Sequence, residues 1–192
     1  MKCLLLLSLL ASAASASAFN AVVIDAGHGG HDRGGIPGQR VGEKDLTLDV
    51  ARRLREILND DGVKTVMTRS DDTFIPLPQR SAIANAHPGA LFLSIHFNSA
   101  IRGGADGIET YYYNTSAAGV AARVQSQLMR VEKGENRGVK RRAYYVLRKA
   151  RIPAVLAECG FLTNREEAAR CLQPAHRQEL ASAIAKAIEA SR

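Results

Sequence analysis

The order of apolar segments predicts an α/β layer architecture, a single domain with helices on both faces of one sheet. Three observations carry that expectation. Short, nearly continuous apolar runs recur at 20–26, 90–95 and 154–158, as strands buried on both faces require. Between them lie segments with apolar residues at helical spacing. Glycine and proline punctuate the boundaries between the two kinds of segment. No linker, repeat or low-complexity tract divides 19–192, a length sufficient for one real core.

The first eighteen residues stand apart. Met1-Lys2, the apolar run from Cys3 to Leu10 and the small residues Ala16-Ser17-Ala18 have the make-up of a secretory signal peptide. Residues 1–18 are therefore set aside as a leader, and the mature chain is expected to begin near Phe19. The apolar run is too short to span a bilayer, and no other stretch is long enough. An exported, soluble protein is expected, periplasmic or extracellular according to the host envelope.

The elements follow in order. The apolar run at 20–26 is the first strand. From Glu43 to Asn59, Leu46, Val50, Leu54, Ile57 and Leu58 recur on one face of a helix, with Arg52, Arg53, Arg55 and Glu56 outside it. Asp61-Gly62 ends that helix, and Val63 to Thr68 reads as the second strand. Pro76 and Pro78 open a second helix carrying Arg80, Ile83 and Ala84. His87-Pro88-Gly89 turns the chain into the strand Ala90 to Ile95. Glycines at 103, 104 and 107 punctuate a loop, after which Ile108 to Tyr113 alternates as a strand. Ala117 to Met129 reads as a helix through Val120, Val124 and Leu128. The basic stretch from Lys133 to Arg151 reads as a solvated face, with a short helix from Tyr144 to Lys149. Ala154 to Glu158 is a buried strand. Asn164 caps a helix with Glu167 at the capping-box position. Pro174 suits the first turn of a last helix, which turns Leu180, Ile184 and Ile188 inward.

The net charge of +7 and a pI near 9.6 favour polyanionic partners. No helix-turn-helix, zinc-finger or aromatic-stacking pattern points to nucleic acid, and the polyanions an exported chain meets first are acidic cell-wall polymers and anionic lipids. Cys159 and Cys171 remain after the leader. They read as two buried thiols, since a domain of this size needs no staple, with a disulfide that export would permit as the alternative.

Four residues stand where chemistry is expected, because ligands of α/β sheets bind beyond the carboxyl ends of strands. His28 follows the first strand inside Gly27-His28-Gly29-Gly30, and His96 ends the strand from Ala90. Glu43 opens the first long helix, where the helix dipole already favours a carboxylate. Two imidazoles and a carboxylate are a catalytic zinc set, leaving a position for water. Their wide spacing excludes an HExxH helix. Glu158 ends an apolar strand, where an unpaired carboxylate is costly. Either it pairs with a base such as Arg80 or Arg148, or it is a general base and acid whose pKa burial raises. His31, His87 and His176 read as surface histidines. Glu109 pairs with an arginine or touches substrate. Ser94 lacks the Gly-x-Ser-x-Gly elbow of a hydrolase nucleophile.

Taken together, these segments resemble the Amidase_3 family of zinc-dependent N-acetylmuramoyl-L-alanine amidases. The pieces are Ile24-Asp25-Ala26-Gly27-His28-Gly29-Gly30, Gly42-Glu43-Lys44, Thr68-Arg69, Arg80 with Ala84-Asn85, Ser94-Ile95-His96-Phe97-Asn98, Gly107-Ile108-Glu109 and Glu158-Cys159-Gly160-Phe161-Leu162-Thr163-Asn164. The resemblance covers essentially all of 19–192. It implies a twisted mixed sheet of about six strands, zinc held by His28, Glu43 and His96, and Glu158 as the catalytic glutamate. The implied substrate is peptidoglycan, cut at the amide between N-acetylmuramic acid and L-alanine. Ala26, Phe97 and Asp32-Arg33-Gly34-Gly35 depart from the family pattern without removing a ligand. The stretch from Tyr113 to Arg142 has little length for an occluding helix, so an open site is expected, and nothing points beyond a monomer. A wall carboxypeptidase and a non-catalytic wall-binding module are the rival readings.

Overall fold

The computed structural model describes residues 19–101 and 104–192; the leader expected at 1–18 lies outside them. Six strands form one sheet: β1 (Ala21–Ala26), β2 (Lys64–Met67), β3 (Ala90–Asn98), β4 (Ile108–Tyr112), β5 (Asn136–Arg141) and β6 (Ala154–Phe161). Their spatial order is β2-β1-β3-β6-β4-β5. β2, β1, β3 and β6 run parallel, β4 is antiparallel to β6, and β5 is parallel to β4. The helices are α1 (Glu43–Asp60), α2 (Leu77–Asn85), α3 (Ala118–Leu128), α4 (Tyr145–Lys149), α5 (Arg165–Cys171) and α6 (Pro174–Glu189), with a 3₁₀ turn at Thr115–Ala117.

Strand alternation divides the core into two unequal layers. Val22, Ile24, Leu93, Ile95, Val155 and Ala157 face α1, α3 and α6, whose buried residues include Leu54, Val124 and Ile184. Val23, Phe92 and Leu156 face the other way, among Ala84 of α2 and Val146 and Leu147 of α4. The second layer has only two short helices, nine and five residues long, so it cannot cover the whole sheet. Asp25, Ser94, His96 and Glu158 continue that second face towards the open ends of the strands. The cleft is the part of the sheet left uncovered.

Several sequence expectations change here. β5 lies within the basic stretch read as a solvated face; as an edge strand it needs only Val139 against the core. His176 is buried on α6, not at the surface, because it precedes Leu180, Ile184 and Ile188 at four-residue steps. Its Nε2 lies 3.0 Å from Oε2 of buried Glu132. Asn164 caps α5 by accepting from the N–H groups of Glu166 and Glu167. The Glu167 carboxylate does not return to the cap; it accepts from Gly107 N at 2.7 Å and Phe161 N at 2.6 Å, tying the β4 approach to the end of β6. Cys159 and Cys171 are free, buried thiols. No described helix is long and apolar enough to cross a membrane.

Candidate active site

β1 ends at Ala26, and its carbonyl and those of the next two residues are held by two arginines. Buried Arg69 donates to Ala26 O at 2.9 Å and Gly27 O at 2.7 Å. Buried Arg80 donates to Ala26 O at 2.6 Å and His28 O at 2.6 Å. The two guanidiniums thus satisfy every carbonyl from Ala26 to His28. They also hold His28 at φ 60°, the one described non-glycine residue in the left-handed region. That conformation costs on the order of 1–3 kcal/mol and persists only when neighbours enforce it. Its effect is to turn the imidazole back over the strand ends.

Arg80 itself is anchored by Asp25, whose Oδ1 lies 2.9 Å from the guanidinium, with both side chains almost wholly buried. Thr68 donates to the same carboxylate oxygen and Ser94 to the other, each at 2.7 Å. Arg80 is therefore committed beneath the site, and Arg148 stacks on Tyr145. Neither cation expected as a partner for Glu158 takes that role.

Glu43 is the first residue of α1, and its carboxylate is buried between the two imidazoles. Oε2 lies 3.1 Å from His28 Nε2, and Oε1 lies 2.9 Å from His96 Nδ1. Phe97 N donates to Oε1 at 2.9 Å. Burial alone raises the Glu43 pKa, but the hydrogen bonds from both histidines reverse this and hold it well below the usual range. The rings of His28 and His96 meet edge to face, with centroids 4.9 Å apart. Gly27 makes room for this approach, since a Cβ there would stand 2.7 Å from both ring nitrogens of His96. The second nitrogen of His28, Nδ1, lies 2.8 Å from Asp32 Oδ2, which fixes the ring and leaves Nε2 facing Glu43. Asp32 was visible only as part of a variant loop motif; its position four residues after His28, beyond two glycines, is the signal for its role.

One donor atom from each of His28, Glu43 and His96 lies within 4.8 Å of the others. Two imidazoles and a carboxylate are the donor types zinc takes with three protein ligands and an open position. The set fits the metal.

Glu158 completes the cleft. The β3–β6 register places it directly beside His96. Its Oε2 is buried with no hydrogen-bond partner among the described residues. Burial, only partly offset by the nearby imidazoles, raises its pKa to about 8. Across β6, the β4 register sets Glu109 beside it. Lys140 pairs with Glu109 and Asn98 donates to it, so that carboxylate is held ionised and tethered. Two adjacent glutamates thus have unlike surroundings. Glu109 is neutralised by a cation, and Glu158 is left with a free oxygen.

The cleft around these groups has a volume of about 590 Å³, with Phe74, Leu77 and Tyr144 on its apolar wall. α3 packs on α6 and the other face of the sheet, so no described helix fills the cleft. His31 lies outside the metal-type group, with its ring against Phe74.

The fold and site define an α/β protein with a His-Glu-His group at the strand ends that could hold a metal ion. Residues 22–190 match the model of the Amidase_3 family, described as N-acetylmuramoyl-L-alanine amidase. The chain is 40% identical over 172 residues to the uncharacterized protein YqiI of Bacillus subtilis, covering 88% of this chain and 82% of that one. It is 38% identical over 167 residues to N-acetylmuramoyl-L-alanine amidase LytC of the same organism, 85% of this chain but only 34% of LytC. Among solved structures, the catalytic domain of the amidase CwlV from Bacillus (Paenibacillus) polymyxa var. colistinus superposes with a TM-score of 0.85 at 34% identity, covering 90% of this chain and 97% of that domain. The chain belongs to the Amidase_3 family of N-acetylmuramoyl-L-alanine amidases.

Proposed function

We propose that this protein is an exported zinc hydrolase that cleaves the amide between N-acetylmuramic acid and L-alanine in peptidoglycan. Family membership supports the reaction. The observation that carries the mechanism is the buried, unpartnered Oε2 of Glu158 beside the group formed by His28, Glu43 and His96. In this reading those three residues hold the metal, and Asp32 fixes the ring of His28. When bound, zinc supplies an acidified water and polarises the scissile carbonyl.

The chain's own residues account for the proton. Glu158 is the general base, accepting the water proton at the free Oε2. The same carboxyl then delivers that proton to the nitrogen of the departing alanine, without which an amide leaves poorly. Burial favours the protonated carboxyl that this second step requires. Glu109 cannot substitute, because Lys140 and Asn98 occupy its oxygens. Phe74 and Tyr144 give the cleft an apolar wall beside these groups. The leader-like residues 1–18 support export, and the basic surface supports attraction to acidic wall polymers.

The test is turnover of purified peptidoglycan by the wild type and by Glu158→Ala, with zinc quantified in both. New alanine amino termini from the wild type, and none from a variant that keeps its zinc, are the expected results. Release of D-alanine instead would make the enzyme a carboxypeptidase. Loss of zinc together with activity would make Glu158 a ligand.

A further inference from the structure

The exposed large apolar side chains are not scattered over the described residues. Phe74, Leu77 and Tyr144 stand on the active cleft, and the other two, Ile101 and Leu172, stand on a second cavity of about 580 Å³. That cavity lies just past the ends of β3 and β6, where Ile101 and Leu162 meet α5 and the loop before α1. Ile36 borders both cavities. Gln39 on the second accepts from Ser99 Oγ on the first at 2.6 Å, and Leu162 N donates to Asn98 O at 2.9 Å. The two cavities adjoin, with Ile36 between them.

Their electrostatics differ sharply. Four acidic residues line the active cleft, Asp25, Asp32, Glu43 and Glu158, with Arg80 paired to Asp25 as its one arginine. Among the described residues, none lines the second cavity, whose charged residues are Arg40 and Arg165. Both arginines are exposed, and neither side chain makes a hydrogen bond or ion pair among the described residues. The substrate is just as asymmetric about the bond to be cut. On one side is a glycan of uncharged hexosamines, since the muramic carboxyl is tied up in the amide. On the other is a short peptide of alanyl methyls and free carboxylates.

We propose that the second cavity is the subsite for the stem peptide. Arg40 and Arg165 take its free carboxylates, and Ile101 and Leu172 take its methyl groups. This inference rests on the amidase reading and deepens it by fixing how the substrate lies. The peptide runs from the cleft past Ile36 towards α5, and the glycan lies against the apolar wall of Phe74 and Tyr144. Arginine suits this role because its planar fork pairs two-point with a carboxylate.

The test compares two substrates with the same scissile bond. One is N-acetylmuramoyl-L-alanine with its carboxyl amidated; the other is the N-acetylmuramoyl tripeptide with free carboxylates. The zinc-loaded wild type is expected to prefer the tripeptide by about tenfold or more in kcat/KM, as charge-assisted pairs allow. In the double variant Arg40→Gln, Arg165→Gln that preference falls to within about twofold, mainly through KM. A second readout requires no turnover: the free tripeptide is titrated calorimetrically into each protein. Its affinity should fall about tenfold in the variant, and amidating the peptide should produce the same fall in the wild type. An unchanged preference and unchanged tripeptide affinity would overturn the subsite while leaving the amidase reading intact. Equal losses on both substrates would also overturn it, as a general disturbance of the loop. Cleavage of neither substrate by the wild type would sink the amidase reading and the subsite with it.

Discussion

Replacing Arg80 with methionine tests the scaffold beneath the site. Arg80 and Asp25 are both nearly inaccessible to solvent. The guanidinium also donates to the carbonyls of Ile75, Ala26 and His28 at 2.7, 2.6 and 2.6 Å. Methionine keeps much of the apolar stem, so the change removes charge and hydrogen bonds more than volume. Breaking a buried ion pair on one side costs about 3–5 kcal/mol, because the other charge is left uncompensated. Ala26 O retains Arg69; Ile75 O and His28 O lose a charged donor, at about 1 kcal/mol or more each. A loss of about 5 kcal/mol or more is expected, a large share of the ~5–15 kcal/mol that holds a typical domain together. Urea denaturation of the metal-free protein measures it. Adding Asp25→Asn to Arg80→Met should recover about 2 kcal/mol, since the stranded charge disappears; of Thr68 and Ser94, which donate to different oxygens of Asp25, one keeps its acceptor and the other's hydroxyl can turn to accept from the new amide. The freed His28 carbonyl should relax φ from 60° and weaken zinc binding beyond the change in stability. A loss below about 1 kcal/mol, or no recovery in the double variant, would refute the reasoning.

Other substitutions probe separate links. Gly27→Ala needs no unusual backbone angle, yet its Cβ would crowd both ring nitrogens of His96. Zinc affinity should fall at least about tenfold with a stability loss of only ~1–2 kcal/mol, read by competition with a chromogenic chelator and by melting. Chelation of the wild type should abolish turnover and lower the melting temperature, with both restored by zinc, because the ion binds only the assembled site. The His176–Glu132 pair sets a pH signature of stability. The hydrogen bond to Glu132 raises the His176 pKa above 6.5 despite burial, so its contribution is complete below 6.5 and fades as pH rises through the folded value. Glu132 is raised by burial but brought down to about 2 by His176, Lys133 N and Arg170, so its contribution is complete above 4.5 and fades towards pH 2. The destabilisation by His176→Leu should therefore peak between about pH 4.5 and 6.5 and shrink above pH 7 in denaturation series.

Much of the fold was legible because its strands are apolar on both faces. Val22-Val23-Ile24 and Leu91-Phe92-Leu93 have no other economical use in a sequence flanked by glycine and helical repeats. β5 was hidden for the opposite reason. An edge strand has one buried face, and Asn136 to Arg141 offers it a single large apolar residue, Val139. His176 was legible in principle, being one helical step ahead of Leu180, but its polarity outweighed its phase. Around the cleft, His28 and His96 stood out at strand ends, whereas the fate of Glu158 turned on which acid Arg80 had already taken. Asp25 and Arg80 are far apart in the chain, and no local spacing announces their pairing. Asp32 and the arginine hold on the carbonyls of Ala26 and His28 act through another group, which a search for reactive residues passes over.

The β3–β6 register has a consequence for the history of each molecule. His96 and Glu158 share a face only because their strands pair in step, and a slip of one residue would turn Glu158 to the opposite side. His28 and Glu43 enter from β1 and α1, so the four groups meet only after the centre of the sheet has closed. A nascent or incompletely folded chain therefore carries all the chemical parts and none of the assembled centre. The centre thus exists only once the last central strand is in place, and its assembly coincides with the closing of the sheet.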